Sequence, residues 1–209
     1  LVVVGYDHDY NYQWLSVFKL KSGIDSDYAS FTGGRITTAT KYNVYYKNST
    51  ITVNPSTGEP IVYTLTSQSQ SCDGNTSHLK KNLYLATTNV TSFDNLKLTL
   101  HNCIMKLILK NIPAEVGSLK KILWENETKN GTKSIDLLLD DKSITFDKSK
   151  SEITVYISFM PDDMSRIANE SIPTTGKFSV ILQGDNTCKV SQTTGTMTYK
   201  ADMRYGATR

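Results

Sequence analysis

The sequence predicts an all-β protein of the sandwich type, on three observations. Thr, Ser, Tyr and Asn are plentiful and Ala is scarce, which favours strands and turns over helices. Short runs of strand-like residues recur at roughly eight-to-twelve-residue spacing, separated by turn-forming clusters. No long amphipathic helix lies between them, so neither a βαβ repeat nor a parallel sheet is expected.

Taken in order, Leu1–Tyr6 reads as a strand and Asp7–Tyr12 as a polar, aromatic loop. Gln13–Lys21 places Trp14, Phe18 and Leu20 on a nearly regular alternation and reads as a second strand. Ser22–Asp27 is a turn cluster, and Tyr28–Arg35 a short strand ending at Gly33–Gly34. Thr37–Lys47, Ser49–Val53 and Ile61–Thr66 read as strands, with a turn at Pro55–Pro60. Gln68–His78 is a polar loop without an apolar anchor, Leu83–Thr87 a short strand and Asn89–Asn95 a loop.

Leu96–Ile112 is the most strand-like stretch of all. Leu96, Leu98 and Leu100 alternate with Lys97, Thr99 and His101, then the phase slips and Met105, Leu107 and Leu109 carry it on. A slip of one flips every side chain to the other face, so the stretch is either one strand bulged near His101–Asn102 or two strands joined there.

Asn111–Ser118 carries Pro and Gly and reads as a linker, dividing the chain into domains 1–113 and 114–209. Beyond it, strands are expected at Leu119–Trp124, Ser134–Leu139, Ser143–Asp147, Glu152–Phe159, Lys177–Gln183, Cys188–Gln192 and Thr196–Tyr199. Asn130–Gly131 centres a hairpin turn spanning Glu125–Lys133, and Pro161–Ile167 can form one helical turn.

Composition narrows the function classes. A net charge of +3, with lysines scattered among acidic residues, argues against nucleic-acid binding. No run approaches the roughly 20 apolar residues of a membrane span. The chain opens on LVVVGY without a start methionine, as a mature or trimmed product would. Cys72, Cys103 and Cys188 show no zinc spacing, and a Cys72–Cys103 bridge is open.

No GxSxG, HExxH or P-loop motif is present, and no catalytic, cofactor-binding or metal site is assigned. Asp7, His8 and Asp9 could ligate a metal, but neighbours at a strand end point in different directions. Asp140–Asp141 and Asp162–Asp163 lack calcium-loop spacing and read as turn and helix-start residues. His101 reads as a structural hydrogen-bonding residue. Tyr6, Tyr10 and Tyr12 cluster beside Trp14, as sugar-stacking rings or as half-buried filler. Six Asn-x-Ser/Thr triplets begin at Asn48, Asn75, Asn89, Asn126, Asn130 and Asn169.

Several of these segments, in this order, resemble the fimbrillin-like proteins of Bacteroidetes, the fimbrial subunits known as type V pilins. They are QSQSCDGNTSHL at Gln68–Leu79, then Ala86, then LHNCIMKLIL with His101 and Lys106, then ITVYISFMP at Ile153–Pro161, and TYKADMRY at Thr198–Tyr205. The resemblance spans about Tyr63–Tyr205. Met105 departs from the small residue usual before the basic one, and Leu1–Val62 matches in strand-rich character alone.

The resemblance implies two tandem transthyretin-like (Greek-key) β-sandwich domains, with the His101-bearing strand closing the first. It also implies export as a lipoprotein to the cell surface and outer membrane, as a stalk, anchor or tip of a fimbrium. The expected function is structural, in fimbria assembly and adhesion by β-strand exchange, without catalysis or cofactor. The partners would be other fimbrial subunits, with surface glycans or proteins as further candidates, and not nucleic acid. The family normally continues with an apolar strand after the Arg209 position, so an acceptor groove is expected beside the last strand. The alternative is a secreted carbohydrate-binding module using Tyr10, Tyr12 and Trp14.

Overall fold

A computed structural model describes the chain except residues 24–28, 35–38, 47–50, 64, 72, 95, 129–130, 140–151, 165–175, 196 and 209. The described residues are almost wholly β, as composition and patterning predict. The chain divides into two compact units, 1–63 with 83–101 and 64–82 with 102–209. These ranges differ from 1–113 and 114–209, because each unit draws on two separate pieces of chain.

The first unit is built on β1 (Val2–Tyr6), β2 (Tyr12–Val17), β5 (Lys41–Tyr45), β9 (Leu85–Val90) and β10 (Thr99–Leu100), in the order β10-β9-β5-β1-β2. Its strands pair antiparallel. The unbroken apolar run of β1 is explained by burial on both faces. Val2 and Val4 pack with Tyr45, Ile51, Val53 and Ala86, while Val3 packs with Tyr42 and Val44 on a separate cluster. A hairpin of β6 (Ile51–Val53) and β7 (Pro60–Val62) supplies Ile51 and Val53 to the first cluster. Gly58 at its tip has φ +72, and a Cβ there would lie 2.5 Å from the Tyr12 ring and 2.6 Å from Val4. The expected strand Gln13–Lys21 divides into β2 and β3 (Lys19–Ser22), which pairs with β4 (Ser30–Thr32).

The second unit is a sandwich. One layer is β14 (Glu152–Phe159), β11 (Cys103–Lys110) and β17 (Arg204–Thr208), in the order β14-β11-β17. The other is β16 (Thr187–Thr194), β15 (Gly176–Gln183), β12 (Lys121–Thr128), β13 (Gly131–Leu139) and β8 (Ser67–Gln70), in that order. Alternate residues of β11 (Cys103, Met105, Leu107, Leu109) and β14 (Ile153, Val155, Ile157, Phe159) are buried against Ile122, Trp124, Leu137, Val180 and their neighbours. Trp124 is fully buried, with Phe159 at 4.8 Å, Phe178 at 5.9 Å and Tyr199 at 6.0 Å between ring centroids.

Two pairings are parallel against expectation: β8 with β13, and β17 with β11. Neither needs a βαβ crossover, because each added strand arrives from a distant part of the chain and sits at a sheet edge. The phase slip at His101–Asn102 is two strands, not one with a bulge. The chain leaves the first unit at His101 and enters the second at Asn102. His101 itself stays in the first unit beside the edge strand β10, whereas β11, which carries Lys106, belongs to the second.

Other expectations shift. Ile61–Thr66 is strand only to Val62, and Gln68–His78 is no mere loop, since it contains β8 and leads into a 3-10 turn at Ser77–Lys81. Asn111–Ser118, expected as a linker, lies wholly within the second unit, with a 3-10 turn at Ala114–Val116. Val116 is buried there, and its carbonyl accepts the Asp185 N–H at 2.8 Å. Strand β12 runs on to Thr128 and β13 begins at Gly131, so the hairpin is tighter than Glu125–Lys133. Of the expected strand Thr196–Tyr199, residue 196 lies outside the described residues, Met197 forms an isolated bridge, and Thr198 and Tyr199 are not strand. The expected strand Ser143–Asp147 lies outside the described residues.

Candidate functional site

The edges of the three-stranded sheet are treated differently. Strand β14 pairs with β11 on one side, and on the other its peptide groups at 154, 156 and 158 meet no strand among the described residues. Side chains hold them instead. Ser158 N–H donates to Gln68 Oε1 at 2.9 Å, and Gln68 Nε2 donates to the Ser158 carbonyl at 2.5 Å. Tyr156 N–H donates to Gln70 Oε1 at 2.9 Å, and Gln70 Nε2 donates to the Thr154 carbonyl at 3.2 Å. Thr154 N–H donates to Asp73 Oδ1 at 2.7 Å, and His78 Nε2 lies 2.8 Å from the Tyr156 carbonyl. The Thr154 carbonyl also accepts the Gly74 N–H at 2.9 Å.

The sequence achieves this by spacing. Gln68 and Gln70 are two apart on β8, so both side chains leave one face of the strand. The backbone of β8 pairs with β13 while its carboxamides pair with β14, so one short segment closes an edge of both layers. Gln68 and Gln70 are 4% and 0% exposed, burial that a carboxamide tolerates only when satisfied. Burial also holds the His78 imidazole below its usual range, against the opposing pull of the Tyr156 carbonyl.

Behind the ladder lies a buried polar knot. Asn102 Nδ2 donates to the Asn82 carbonyl at 2.7 Å and to Ser158 Oγ, and that hydroxyl donates to the same carbonyl at 3.1 Å. Asn82 Nδ2 reaches Gln68 Oε1 at 3.4 Å. The start of β11, the end of β14 and the Gln68–Asn82 segment are tied at one point.

The opposite edge is β17. It lies parallel on β11, pairing Ile104 with Arg204 through Ile108 with Thr208, and has a neighbour on that side alone among the described residues. Tyr205 and Ala207 point inward and are half-buried, while Arg204, Gly206 and Thr208 are exposed. The Tyr205 ring stands edge-on to Tyr199 at 4.8 Å, and its hydroxyl accepts the Lys200 N–H at 2.8 Å. A fully buried apolar side chain contributes about 1.5–3 kcal/mol. Strands β11 and β14 each bury four, so β17 is much the more weakly held.

The candidates from the sequence fall elsewhere. The Asp7 carboxylate accepts the N–H groups of Asp9 and Asn11, each at 2.9 Å, and Gln13 Nε2 at 3.0 Å, which makes it a loop organiser. The Asn11 carboxamide, which donates from Nδ2 to Asp7 Oδ2 at 3.0 Å, and then these other bonds hold the Asp7 carboxyl below the usual carboxylate range. His8 and Asp9 are exposed, and no metal-holding group of three occurs among the described residues. Asp162 and Asp163 lie in a four-residue helix, Pro161–Met164, and Asp140–Asp141 lie outside the described residues. His101 is half-buried and stacks on Tyr84 at 4.7 Å.

The aromatic cluster does not form one face. A register shift between Gly5 and Tyr6 sends Tyr12 to the Val2–Val4 cluster and Trp14 to the Val3 cluster, while Tyr10 is exposed under Lys41. Cys103 and Cys188 are free thiols, and Cys72 lies outside the described residues. The Cys103 thiol donates to the Lys200 carbonyl at 2.9 Å. Among the sequons, Asn126 is fully buried and donates to the Met164 carbonyl, so it is no glycan acceptor.

Sequence reasoning missed Gln70, Asp73, His78 and Asn102 as a set. Their signal was the Gln-x-Gln spacing in a segment otherwise lacking apolar residues.

No protein-family model matches the chain, and no curated protein matches it significantly. A solved structure from Bacteroides fragilis, of a protein provisionally assigned to cell adhesion, is similar to it, at 12% identity and a TM-score of 0.49. The match covers 99% of this chain and 78% of that one. No described helix is long and apolar enough to cross a membrane.

Proposed function

We propose that this protein is a non-catalytic, cell-surface structural subunit of the fimbrial kind, exported and lipid-anchored, which assembles by exchanging an edge strand. The observation that carries the reading is the contrast between the two edges of one sheet. Strand β14 is sealed by buried side chains, whereas β17 is short, parallel, exposed along its outer residues and held inward by Tyr205 and Ala207. A strand held mainly by backbone hydrogen bonds can be replaced by the equivalent strand of another copy with little loss, which is the physics of β-augmentation. The order of sequence segments shared with fimbrillin-like proteins supports the same reading. The carbohydrate-binding alternative finds no support in rings that lie on opposite faces of a sheet.

The test uses the register. Lys106 lies opposite Gly206, and a side chain at Gly206 meets open space. Lys106→Cys with Gly206→Cys, in a background without the native cysteines, is oxidised under assembly conditions. Strand exchange gives covalent ladders on a non-reducing gel. Only intramolecular bridges under every assembly condition would refute exchange at β17.

A further inference from the structure

We propose that the outer edge of β14 is a latent self-association surface, whose partner is β14 of a second copy, and that the Gln68–Gln70–Asp73–His78 ladder is the guard that keeps it shut. This inference is independent of the reading of β17.

The strand itself makes the case. Glu152–Met160, EITVYISFM, contains no Pro and no Gly, carries one charge, and is rich in β-branched and aromatic residues. That is the composition of a segment which pairs with copies of itself when its edge is free. Antiparallel pairing about Tyr156 sets Tyr156 against Tyr156 and Thr154 against Ser158. The peptide groups now held by side chains would then satisfy one another across the two-fold axis. The single charge, Glu152, would fall opposite Met160, so no like charges meet. The inward residues Ile153, Val155, Ile157 and Phe159 would keep their places in the core.

The guard matches this hazard group for group. The peptide N–H and C=O of residues 154, 156 and 158 are each occupied by Gln68, Gln70, Asp73 or His78. Natural sheets protect their edges with charges, bulges or covering loops. Here the cover imitates a strand with side chains while its own backbone serves the other layer. It is one continuous segment, and β8 lies at the edge of its own layer, so its release exposes the outer edge of β14 at the loss of one edge strand and no inner one.

The test is made on the whole chain. Gln68→Ala, Gln70→Ala and His78→Ala are combined, with and without Tyr156→Cys. Sedimentation and native mass spectrometry at about 100 µM, in the range where exposed edges associate, read the oligomeric state. The expected result is a dimer for the triple variant and a monomer for the same chain with the ladder intact. Tyr156→Cys should add a rapid disulfide between the introduced thiols of the two copies, in the triple variant alone. A folded triple variant that stays monomeric, or a dimer that fails to crosslink at position 156, overturns the proposal.

Hydrogen exchange on the unaltered chain covers the case in which the triple variant does not fold. In mild urea, the Thr154, Tyr156 and Ser158 amides should exchange on the order of tenfold faster than those of Val155 and Ile157, through opening of the guard segment. Exchange of all five only on global unfolding would mean that the guard never opens, and would equally overturn the proposal.

Discussion

Gln68 engages Ser158 as one peptide group engages another, accepting its N–H at 2.9 Å and donating to its carbonyl at 2.5 Å. A side-chain carboxamide has the same donor and acceptor as a backbone amide, so two glutamines at alternate positions can stand in for a strand.

Removing part of this surrogate should cost stability even without association. Gln70→Ala leaves the part-buried Tyr156 N–H without its acceptor, for a loss of about 1–3 kcal/mol. Urea unfolding at low protein concentration measures it. A change below a few tenths of a kcal/mol would mean that the bonds are not energetically coupled to the fold.

Asn102 should be less replaceable than its surface-like residue type suggests. Asn102→Leu removes donors from the Asn82 carbonyl and Ser158 Oγ, both buried. The expected loss is again about 1–3 kcal/mol, and it should not add to that of Gln68→Ala, because Asn82 bridges them. A double-mutant cycle is the check, and simple additivity would break the network.

Tyr205→Ala should loosen β17 selectively. It removes the ring packed on Tyr199 and the acceptor for the Lys200 N–H. Global stability should fall by about 2–3 kcal/mol, less than the roughly 3–5 kcal/mol expected for Trp124→Ala at the core centre. Amides of 204–208 should exchange faster while those of β14 do not. Equal acceleration across the sandwich would contradict a selectively weak β17.

The pH dependence has a definite sign on each side. Burial lowers His78 from 6.5, so the unfolded chain takes up the proton first, and its contribution is lost as pH falls through 6.5. Its Nδ1 is buried without a partner among the described residues, so the added proton finds no acceptor among them. His78→Gln should lessen the drop in melting temperature between about pH 7 and pH 5. An unchanged slope would acquit His78. In alkali, burial raises Cys103 from 9.0 to about 11, so stability present below pH 9 is lost as pH climbs towards 11.

What the sequence disclosed was whatever apolar patterning records. The slip in LKLTLHNCIMKLILK was legible as a bulge or a break between strands but not as the passage between units that it is, and LVVVGY was legible as a strand but not as one buried on both faces. QSQSCDGNTSH was silent because its buried residues are amides, and a hydrophobic pattern counts a buried glutamine as solvent-facing. The true division was also hidden. Each unit takes two pieces of chain, and no cluster of Pro and Gly announces the crossings after Tyr63 and Asn82. Strand β17, RYGAT, carries too little apolar character to be seen before its partner is known.

The interleaving of the two units sets a timetable for their birth. Residues 64–82 leave the ribosome, or a secretion pore, ahead of β9 and β10, which complete the first unit, and well ahead of β14, which they will cover. The cover is therefore manufactured before the surface it protects. By the time EITVYISFM emerges, its shield is already present on the same molecule, so intramolecular cover competes from the outset with pairing between neighbouring chains.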